Sequence, residues 1–374
     1  MTTRNVTVLE PYYGGSHAHF VDTFSTHTRH ACTLVTLPAR KWKWRMRGAA
    51  LWFAYDDNGW TRRPVDVVLC NDMLSAADLR AVLPKALRDA AIVCYFHENQ
   101  LTYPLSQDDE RDYQYGMTNI SSALTADAVW FNSRYHLDSF ADAAGKLLAK
   151  MPDHVPRDLP DRIRRNAAVL PPAVAVNTDL TSAKRLRSTG GGVRFLWCHR
   201  WEFDKAPEVF FKGMCCLADS GLDFEVVLVG EQFRTRPTAF DDGLRRLGKR
   251  VVHAGYVPDR RAYLELIASC DVVVSTAVQE NFGIAVVEAI LAGCRPLLPN
   301  RLAYPEVIPD AFHEDCLFGS DADFRERLLA IATHTDRMTA AHIIDLRTAV
   351  ASRFAPATAI AAMDDAIEVL ADTR

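Results

Sequence analysis

No stretch of this 374-residue chain stays apolar long enough to cross a membrane, which excludes helical integral membrane proteins. The beginning is equally bare: Met1-Thr2-Thr3-Arg4 runs straight into the apolar Val6 to Leu9, without the apolar core or small-residue cleavage site of a secretory leader. A cytoplasmic protein with no membrane partner is expected. No Cys-x-x-Cys occurs among the nine cysteines, Cys32, Cys70, Cys94, Cys198, Cys215, Cys216, Cys270, Cys294 and Cys316. An odd number scattered through apolar patterns points to buried reduced thiols, and no metal is expected. A surplus of positive charge is missing as well, since 43 Lys and Arg stand against 47 Asp and Glu for a net charge of −4. The chain is no bulk polycation, so binding to RNA would have to come from a local patch.

With 49% hydrophobic and 24% charged residues, the chain can bury two ordinary cores. Short apolar, β-branched runs alternate with helical patterns along both halves. Val6 to Glu10, Cys32 to Leu37, Val65 to Asn71, Ala91 to Phe96, Ala128 to Asn132 and Ala168 to Leu170 read as strands in the first. Val193 to His199, Phe224 to Gly230, Val251 to Ala254, Asp271 to Thr276 and Arg295 to Pro299 repeat the pattern in the second. This is an α/β chain with two Rossmann-like, doubly wound domains, expected to face a central cleft. The polar, Gly- and Pro-bearing segment from Pro171-Pro172 to Gly190-Gly191-Gly192 marks the junction. The expected division is a domain over 1–175, a hinge over 176–192, a second domain over 193–355 and a last helical segment over 356–374.

The most informative segment is Glu280-Asn281-Phe282-Gly283-Ile284-Ala285-Val286-Val287-Glu288, which joins a buried strand to a helix start. The amides of Phe282, Gly283 and Ile284 lack intrahelical partners and favour an anion, and Gly283 lets a ligand approach the backbone. Glu280 precedes the helix and can accept sugar hydroxyls. Glu288, about one turn beyond Ile284, leans back toward the same place and can take a ribose diol bidentately. A strand-loop-helix with a solvated Glu would look the same in isolation. A second segment shifts the balance: Arg200 and Lys205 follow the strand that ends at His199, with Pro207 opening the next helix. Cations at a strand's carboxyl end suit a leaving diphosphate.

These residues resemble the retaining glycosyltransferases of the GT-B fold. The resemblance implies that Arg200 and Lys205 grip the donor diphosphate, that Glu280 and the amides of Asn281 to Ile284 hold the hexose, and that Glu288 binds the ribose. It further implies that Gly230 and the loop at Tyr256 and Val257 flank the nucleotide and its base, and that the last helix, Pro356 to Ala371, packs back on the first domain.

In the first half, Pro11-Tyr12-Tyr13-Gly14-Gly15-Ser16-His17 leaves the first strand and opens a helix, and the paired glycines permit a turn whose amides approach phosphate or sugar. Tyr95-Phe96-His97-Glu98-Asn99-Gln100 ends another strand with four hydrogen-bonding side chains, so that His97 is expected to contact the transferred hexose and Glu98, Asn99 or Gln100 the acceptor. A histidine capping a turn is the plainer reading. The most unusual composition is Arg40-Lys41-Trp42-Lys43-Trp44-Arg45-Met46-Arg47. Read as extended, it puts Lys41, Lys43, Arg45 and Arg47 on one side and Trp42, Trp44 and Met46 on the other, so cations meet phosphates while tryptophans stack on bases. Tryptophans against the core and lysines in water would give the same sequence. Asp321-Ala322-Asp323 mimics a metal-binding Asp-x-Asp but stands before a helical pattern and reads as an N-cap.

Pro11 to His17, Arg40 to Gly48, Tyr95 to Pro104, Arg111-Asp112-Tyr113-Gln114-Tyr115-Gly116, His199-Arg200-Trp201-Glu202 and Pro299-Asn300-Arg301-Leu302-Ala303-Tyr304-Pro305-Glu306 together resemble the tRNA-queuosine alpha-mannosyltransferase family. Where that family often has His-Glu-Phe-Phe-Gly, this chain has Gln279-Glu280-Asn281-Phe282-Gly283. The resemblance implies transfer of mannose from GDP-mannose to the cyclopentenediol of queuosine at the wobble position of tRNA(Asp), with retained configuration and no cofactor or metal. His97, Arg200, Lys205 and Glu280 would be catalytic; Ser16, His17, Arg40, Lys41, Lys43, Trp44, Arg45, Arg47, Glu98, Asn99 and Gln100 would meet the acceptor tRNA. A GT-B enzyme acting on a lipid or polysaccharide, and a noncatalytic sugar-nucleotide or RNA-binding protein, are the alternatives.

Overall fold

The computed structural model describes residues 2–55, 59–105, 110–175, 192–233, 236–336 and 338–373. It contains two compact units, Met1–Ala173 with Phe354–Arg374 and Val174–Arg353. The hinge expected over 176–192 lies, apart from Gly192, outside the described residues.

In the first unit the strands are β1 (Asn5–Tyr13), β2 (Ala31–Pro38), β3 (Val67–Asn71), β4 (Ala91–Phe96), β5 (Ala128–Phe131) and β6 (Ala167–Val169). They form one parallel sheet in the order β2-β1-β3-β4-β5-β6. Every residue of β3 and β4 is buried because both faces are covered, which is why these strands read as unbroken apolar runs. Alternate residues serve opposite faces: Val68, Cys70, Ile92, Cys94 and Phe96 join one core, and Val67, Leu69, Ala91, Val93 and Tyr95 the other. The second core is closed by the helix Gly15–His27 through Phe20, Val21 and Phe24, and by the last helix, Pro356–Asp372, through Ile360, Met363 and Ile367. Buried Asp364 fastens that helix, accepting from Thr28 Oγ1 at 2.5 Å and from the Arg29 amide at 3.0 Å.

The second unit repeats the design with β7 (Val193–Cys198), β8 (Phe224–Val229), β9 (Val251–Gly255), β10 (Val272–Val274), β11 (Arg295–Pro299) and β12 (Leu317–Phe318), in the order β12-β11-β10-β7-β8-β9. The chain builds outward from β7 through β8 and β9, then returns to the other side with β10. The order thus reverses between β7 and β10, as it does between β1 and β3 in the first unit, and ligands of doubly wound sheets bind outside the carboxyl ends at such points. Strand β10 is shorter than its apolar run, and β12 was not apparent from the sequence. Ser275 and Thr276, the last residues of that run, instead bond through their side chains, Ser275 Oγ to Tyr304 Oη at 2.6 Å and Thr276 Oγ1 to the carbonyl of Lys205 at 2.9 Å.

Two local expectations are corrected. The Arg40 to Arg47 segment is not extended: after Lys41, at φ 57°, it enters the helix Trp42–Tyr55. Met46, Ala49, Ala50 and Phe53 fall on one helical face and are buried, and that burial outweighs the strand-like alternation of the preceding residues. The helix Asp321–Ala332 is capped by Ser320, whose hydroxyl accepts from the Asp323 amide at 3.2 Å, so neither Asp321 nor Asp323 is the cap. Seven of the nine cysteines are buried, Cys32 is half-buried and Cys216 exposed. Among the described residues no helix is long and apolar enough to cross a membrane.

Candidate active site

In the second unit, Arg200 and Lys205 leave the carboxyl end of β7, and Glu280 leaves that of β10. Two hydrogen bonds stitch these loops: the amides of Val278 and Gln279 both donate to the carbonyl of Asp204, at 2.9 and 3.3 Å. Lys205 is buried, yet its ammonium donates to the Gln279 carbonyl at 2.7 Å and to Glu280 Oε2 at 3.5 Å and lies 3.1 Å from Asp204 Oδ2. Burial works against its charge, but Glu280 and Asp204 outweigh it, so its pKa is raised and the ammonium is kept. Arg200, more open, pairs with Glu202 at 3.2 Å and lies close enough to oppose the charge on Lys205. His199, buried at the end of β7, is pushed down to about 3, first by burial and then by Lys205, and is neutral.

Gly283 starts the helix Ile284–Leu291 at φ 92°, ψ 54°, a conformation costly for any residue with a Cβ. No side chain caps this helix, so its first amides are presented between Glu280 and the helix. Glu288, in the second turn, is buried; its Oε1 accepts from the Arg260 guanidinium and its Oε2 from the Tyr263 hydroxyl at 3.0 Å. Burial and then the charges of Glu288 and Glu280 push the Cys198 thiol up, so both carboxylates surround the end of β7. Asn281 and Phe282 are buried, and the Gln279 side-chain amide donates to Asn281 Oδ1 at 3.2 Å. Gly230 abuts the His199 carbonyl so closely that a Cβ there would lie 1.7 Å from it. Tyr256, exposed, and Val257, half-buried, follow β9, the edge strand two places from β7.

In the first unit, the ends of β1, β3 and β4 bring together Glu10, His17, Asn71, Asp72 and His97. Glu10 is buried; its Oε1 accepts from the Tyr12 amide at 2.7 Å and lies 3.4 Å from His17 Nδ1, and its Oε2 accepts from Asn71 Nδ2 at 2.5 Å. Burial disfavours an imidazolium at His17, but Glu10 reverses this and raises its pKa to about 9. The His97 ring packs 4.2 Å from that of His17 and 4.7 Å from that of Tyr95. Burial, the charge on His17 and His136 all lower the pKa of His97, so a neutral imidazole sits beside a cationic one. Asp72 Oδ1 accepts the His97 amide at 2.7 Å; burial, followed by the neighbouring Glu98, raises the Asp72 carboxyl to about 7 against the pull of His17. Glu10, His17 and His97 hold potential ligand atoms within 4.8 Å of one another, and Glu10 also accepts from the Tyr12 amide and from Asn71 Nδ2.

Side-chain hydrogen bonds hold the loop after His97. Asn99 is buried, its Oδ1 accepting the amides of Leu101 and Thr102 at 3.0 and 2.9 Å, so its side chain shapes the turn. Gln100 Nε2 donates to Glu98 Oε1 at 3.1 Å, and Arg111 donates to the carbonyls of Gln100 and Tyr103. Gly14 and Gly15 stand at the start of the helix Gly15–His27, where Gly15 and Ser16 are exposed. Arg40, Lys41, Lys43, Trp44 and Arg47 are exposed around the start of the helix Trp42–Tyr55, while Arg45 donates to the Pro38 carbonyl at 3.2 Å.

Residues 5–174 match the model for the N-terminal domain of tRNA-queuosine alpha-mannosyltransferase, and residues 192–334 that for group 1 glycosyl transferases. The tRNA-queuosine alpha-mannosyltransferase of Drosophila melanogaster is 34% identical over 317 residues, 82% of each chain. This chain belongs to the tRNA-queuosine alpha-mannosyltransferase family. A GDP-mannose-dependent alpha-(1-6)-phosphatidylinositol dimannoside mannosyltransferase of Mycobacterium tuberculosis is 28% identical over 139 residues, 37% of this chain and 34% of that one. Among solved structures, sucrose-phosphate synthase from Thermosynechococcus elongatus superposes with a TM-score of 0.73 at 14% identity, covering 99% of this chain and 100% of that one. Anabaena HepE in complex with UDP gives 0.68 at 13%, covering 98% and 100%. The transferase thus has the GT-B fold and is a hexosyltransferase.

Several residues of these two clusters were not evident from the sequence: Asp204, Arg260 and Tyr263 in the second unit, and Glu10, Asn71 and Asp72 in the first. Signals were present for some. Arg260 and Tyr263 stand three apart in the first turn of the helix Arg260–Ala268, on one face. Glu10 and Asn71-Asp72 are polar residues at the ends of two buried apolar strand runs.

Proposed function

We propose that this enzyme transfers mannose from GDP-mannose to a hydroxyl of the queuosine cyclopentenediol at the wobble position of tRNA(Asp), with retention of configuration. The observation that carries the reading is the buried Lys205, kept cationic by Asp204 and Glu280 where the order of the second sheet reverses and beside the uncapped helix start at Gly283. A mannosyl transfer through an oxocarbenium-like state needs the departing diphosphate stabilised and the acceptor hydroxyl aligned. Lys205, Arg200 and the amides of Phe282 to Ile284 meet the first requirement without a metal. Glu280, with Asn281 beside it, holds the hexose, and Glu288, aimed by Arg260 and Tyr263, takes the ribose diol. Gly230, Tyr256 and Val257 border the base.

The neutral His97 is assigned as a hydrogen-bonding group that carries no charge to oppose a developing cation. No carboxylate nucleophile is needed, since the departing phosphate takes the acceptor's proton on the same face. The first unit, Met1–Ala173 with Phe354–Arg374, is the acceptor domain; Ser16, His17, Glu98 and Gln100 approach the queuosine, and Asn99 shapes their loop. The second unit, Val174–Arg353, is the donor domain. The enzyme works in the cytoplasm, where mature tRNA is.

The test is incubation with GDP-mannose and tRNA from queuosine-proficient or queuosine-deficient cells, followed by mass analysis of the nucleosides. A hexose added only to queuosine supports the assignment. Donor turnover onto a lipid or polysaccharide with queuosine untouched overturns the acceptor, and donor binding without turnover overturns the enzymatic reading.

A further inference from the structure

The helix Trp42–Tyr55 buries one face and leaves the opposite stripe open: Trp44 is 64%, Leu51 50% and Tyr55 78% exposed. An exposed apolar stripe of this kind marks a contact surface. The Trp44 indole lies along the helix over Gly48, where an added Cβ would sit 2.6 Å from the ring. Any other residue at 48 would lift that ring, so the glycine gives it a seat. Trp42 packs on Tyr115 with ring centroids 5.1 Å apart, and the Arg47 guanidinium lies 5.2 Å from the same Tyr115 ring. Lys43 approaches the Trp42 ring at 5.6 Å. No acidic residue occurs from Pro38 to Tyr55.

This surface is tied to the loop that carries Glu98 and Gln100. Tyr115 stands one helical turn before Asn119 on the helix Tyr113–Thr125, and Asn119 Oδ1 accepts the Gln100 amide at 2.9 Å. The open Trp44 face beside exposed Lys43 and Arg47 fits an unpaired RNA base and its phosphates: stacking accepts any base, and the cations answer the backbone. Anionic lipid also attracts apolar faces flanked by cations, so vesicle binding is one of the outcomes of the test.

We propose that Trp44, with Lys43 and Arg47, forms a stacking platform for the unpaired bases that flank the modified nucleotide. The assignment rests on the tRNA reading above and names the part of the first unit that meets the anticodon loop.

The experiment measures binding of the full chain to a synthetic anticodon stem-loop by fluorescence anisotropy over a range of salt, with transfer kinetics on whole tRNA alongside. Trp44→Ala is expected to weaken RNA binding about tenfold, or about 1.4 kcal/mol, with an unchanged salt slope, unchanged donor affinity and unchanged thermal midpoint. Trp44→Phe should restore most of the loss. Lys43→Gln should instead flatten the salt slope, by about 0.7 for one single-strand phosphate. Binding within twofold of wild type in Trp44→Ala overturns the platform. So does a Trp44→Ala chain that keeps its RNA affinity but loses self-association or binding to anionic vesicles. If queuosine tRNA is not glycosylated at all while Trp44→Ala still loses RNA affinity, the acceptor assignment falls and the platform stands. Normal glycosylation by a Trp44→Ala chain with unchanged RNA affinity removes the platform and leaves the acceptor assignment in place.

Discussion

Replacing Lys205 by methionine keeps the length of the side chain and removes its charge. In the native enzyme the ammonium is 3.1 Å from Asp204 Oδ2 and 3.5 Å from Glu280 Oε2, with the side chain 8% exposed. Unit charges about 3.5 Å apart attract by roughly 5 kcal/mol at an effective dielectric of about 20. Desolvation of the buried ions offsets much of that, but removing one partner strands the others and costs about 3–5 kcal/mol. The second unit should therefore lose about 3 kcal/mol of stability, the lower end of that range. Catalysis should suffer separately, because a missing preorganised charge at a leaving group lowers kcat by about 10²–10³.

Single-turnover transfer at saturating GDP-mannose reads the second effect, and thermal unfolding by circular dichroism the first. A Lys205→Met/Glu280→Gln double variant separates them: it should be more stable than the two single losses predict, while transfer remains slow. The pH behaviour follows from the sign of the shift. A lysine pKa raised above its ordinary 10.5 leaves the ion pair's stabilisation complete below that value, to be lost only as pH rises through the higher folded pKa, so Lys205 gives no titration limb near neutrality. A Lys205→Met enzyme with kcat within about threefold of wild type, or double-variant stability equal to the sum of the single losses, would refute the argument.

Glu288→Ala should abolish measurable donor binding in calorimetry, whereas Tyr263→Phe, which removes one hydrogen bond to that carboxylate, should raise the donor KM about tenfold with kcat kept; equal donor affinity in all three proteins counts against the ribose assignment. Arg200→Ala should chiefly slow transfer, and unchanged turnover would remove Arg200 from the diphosphate. His17, with its pKa raised from 6.5 to about 9, stabilises the fold fully below pH 6.5 and loses that contribution as pH rises through about 9, on the order of 3 kcal/mol in all. The difference in thermal midpoint between wild type and His17→Gln should shrink over this range; a constant difference speaks against the Glu10 ion pair. Transfer should persist in excess EDTA, and activity that vanished and returned with magnesium or manganese would replace the Arg200 and Lys205 scheme.

What the sequence determined by itself was local. Runs such as Ala91 to Phe96 announce buried strands because every residue is apolar, and Ile284 to Leu291 announces a helix that Gly283 begins and Gly293 follows. The positions of Arg200, Lys205 and Glu280 after strand ends were legible for the same reason. Local pattern failed at Arg40 to Arg47, where alternating side chains suggested an extended segment and the downstream Met46, Ala49, Ala50 and Phe53 settled a helix by burial. Tertiary structure alone decided the pairings. Lys205 meets Glu280 across 75 residues and Glu10 meets Asn71 across 61, because parallel strands distant in sequence end side by side, and Glu288 meets Arg260 across 28 from the helices that follow two strands of the same sheet. Backbone periodicity is set by a few neighbouring residues, whereas the charge a buried side chain keeps depends on which distant groups the sheet order carries to it.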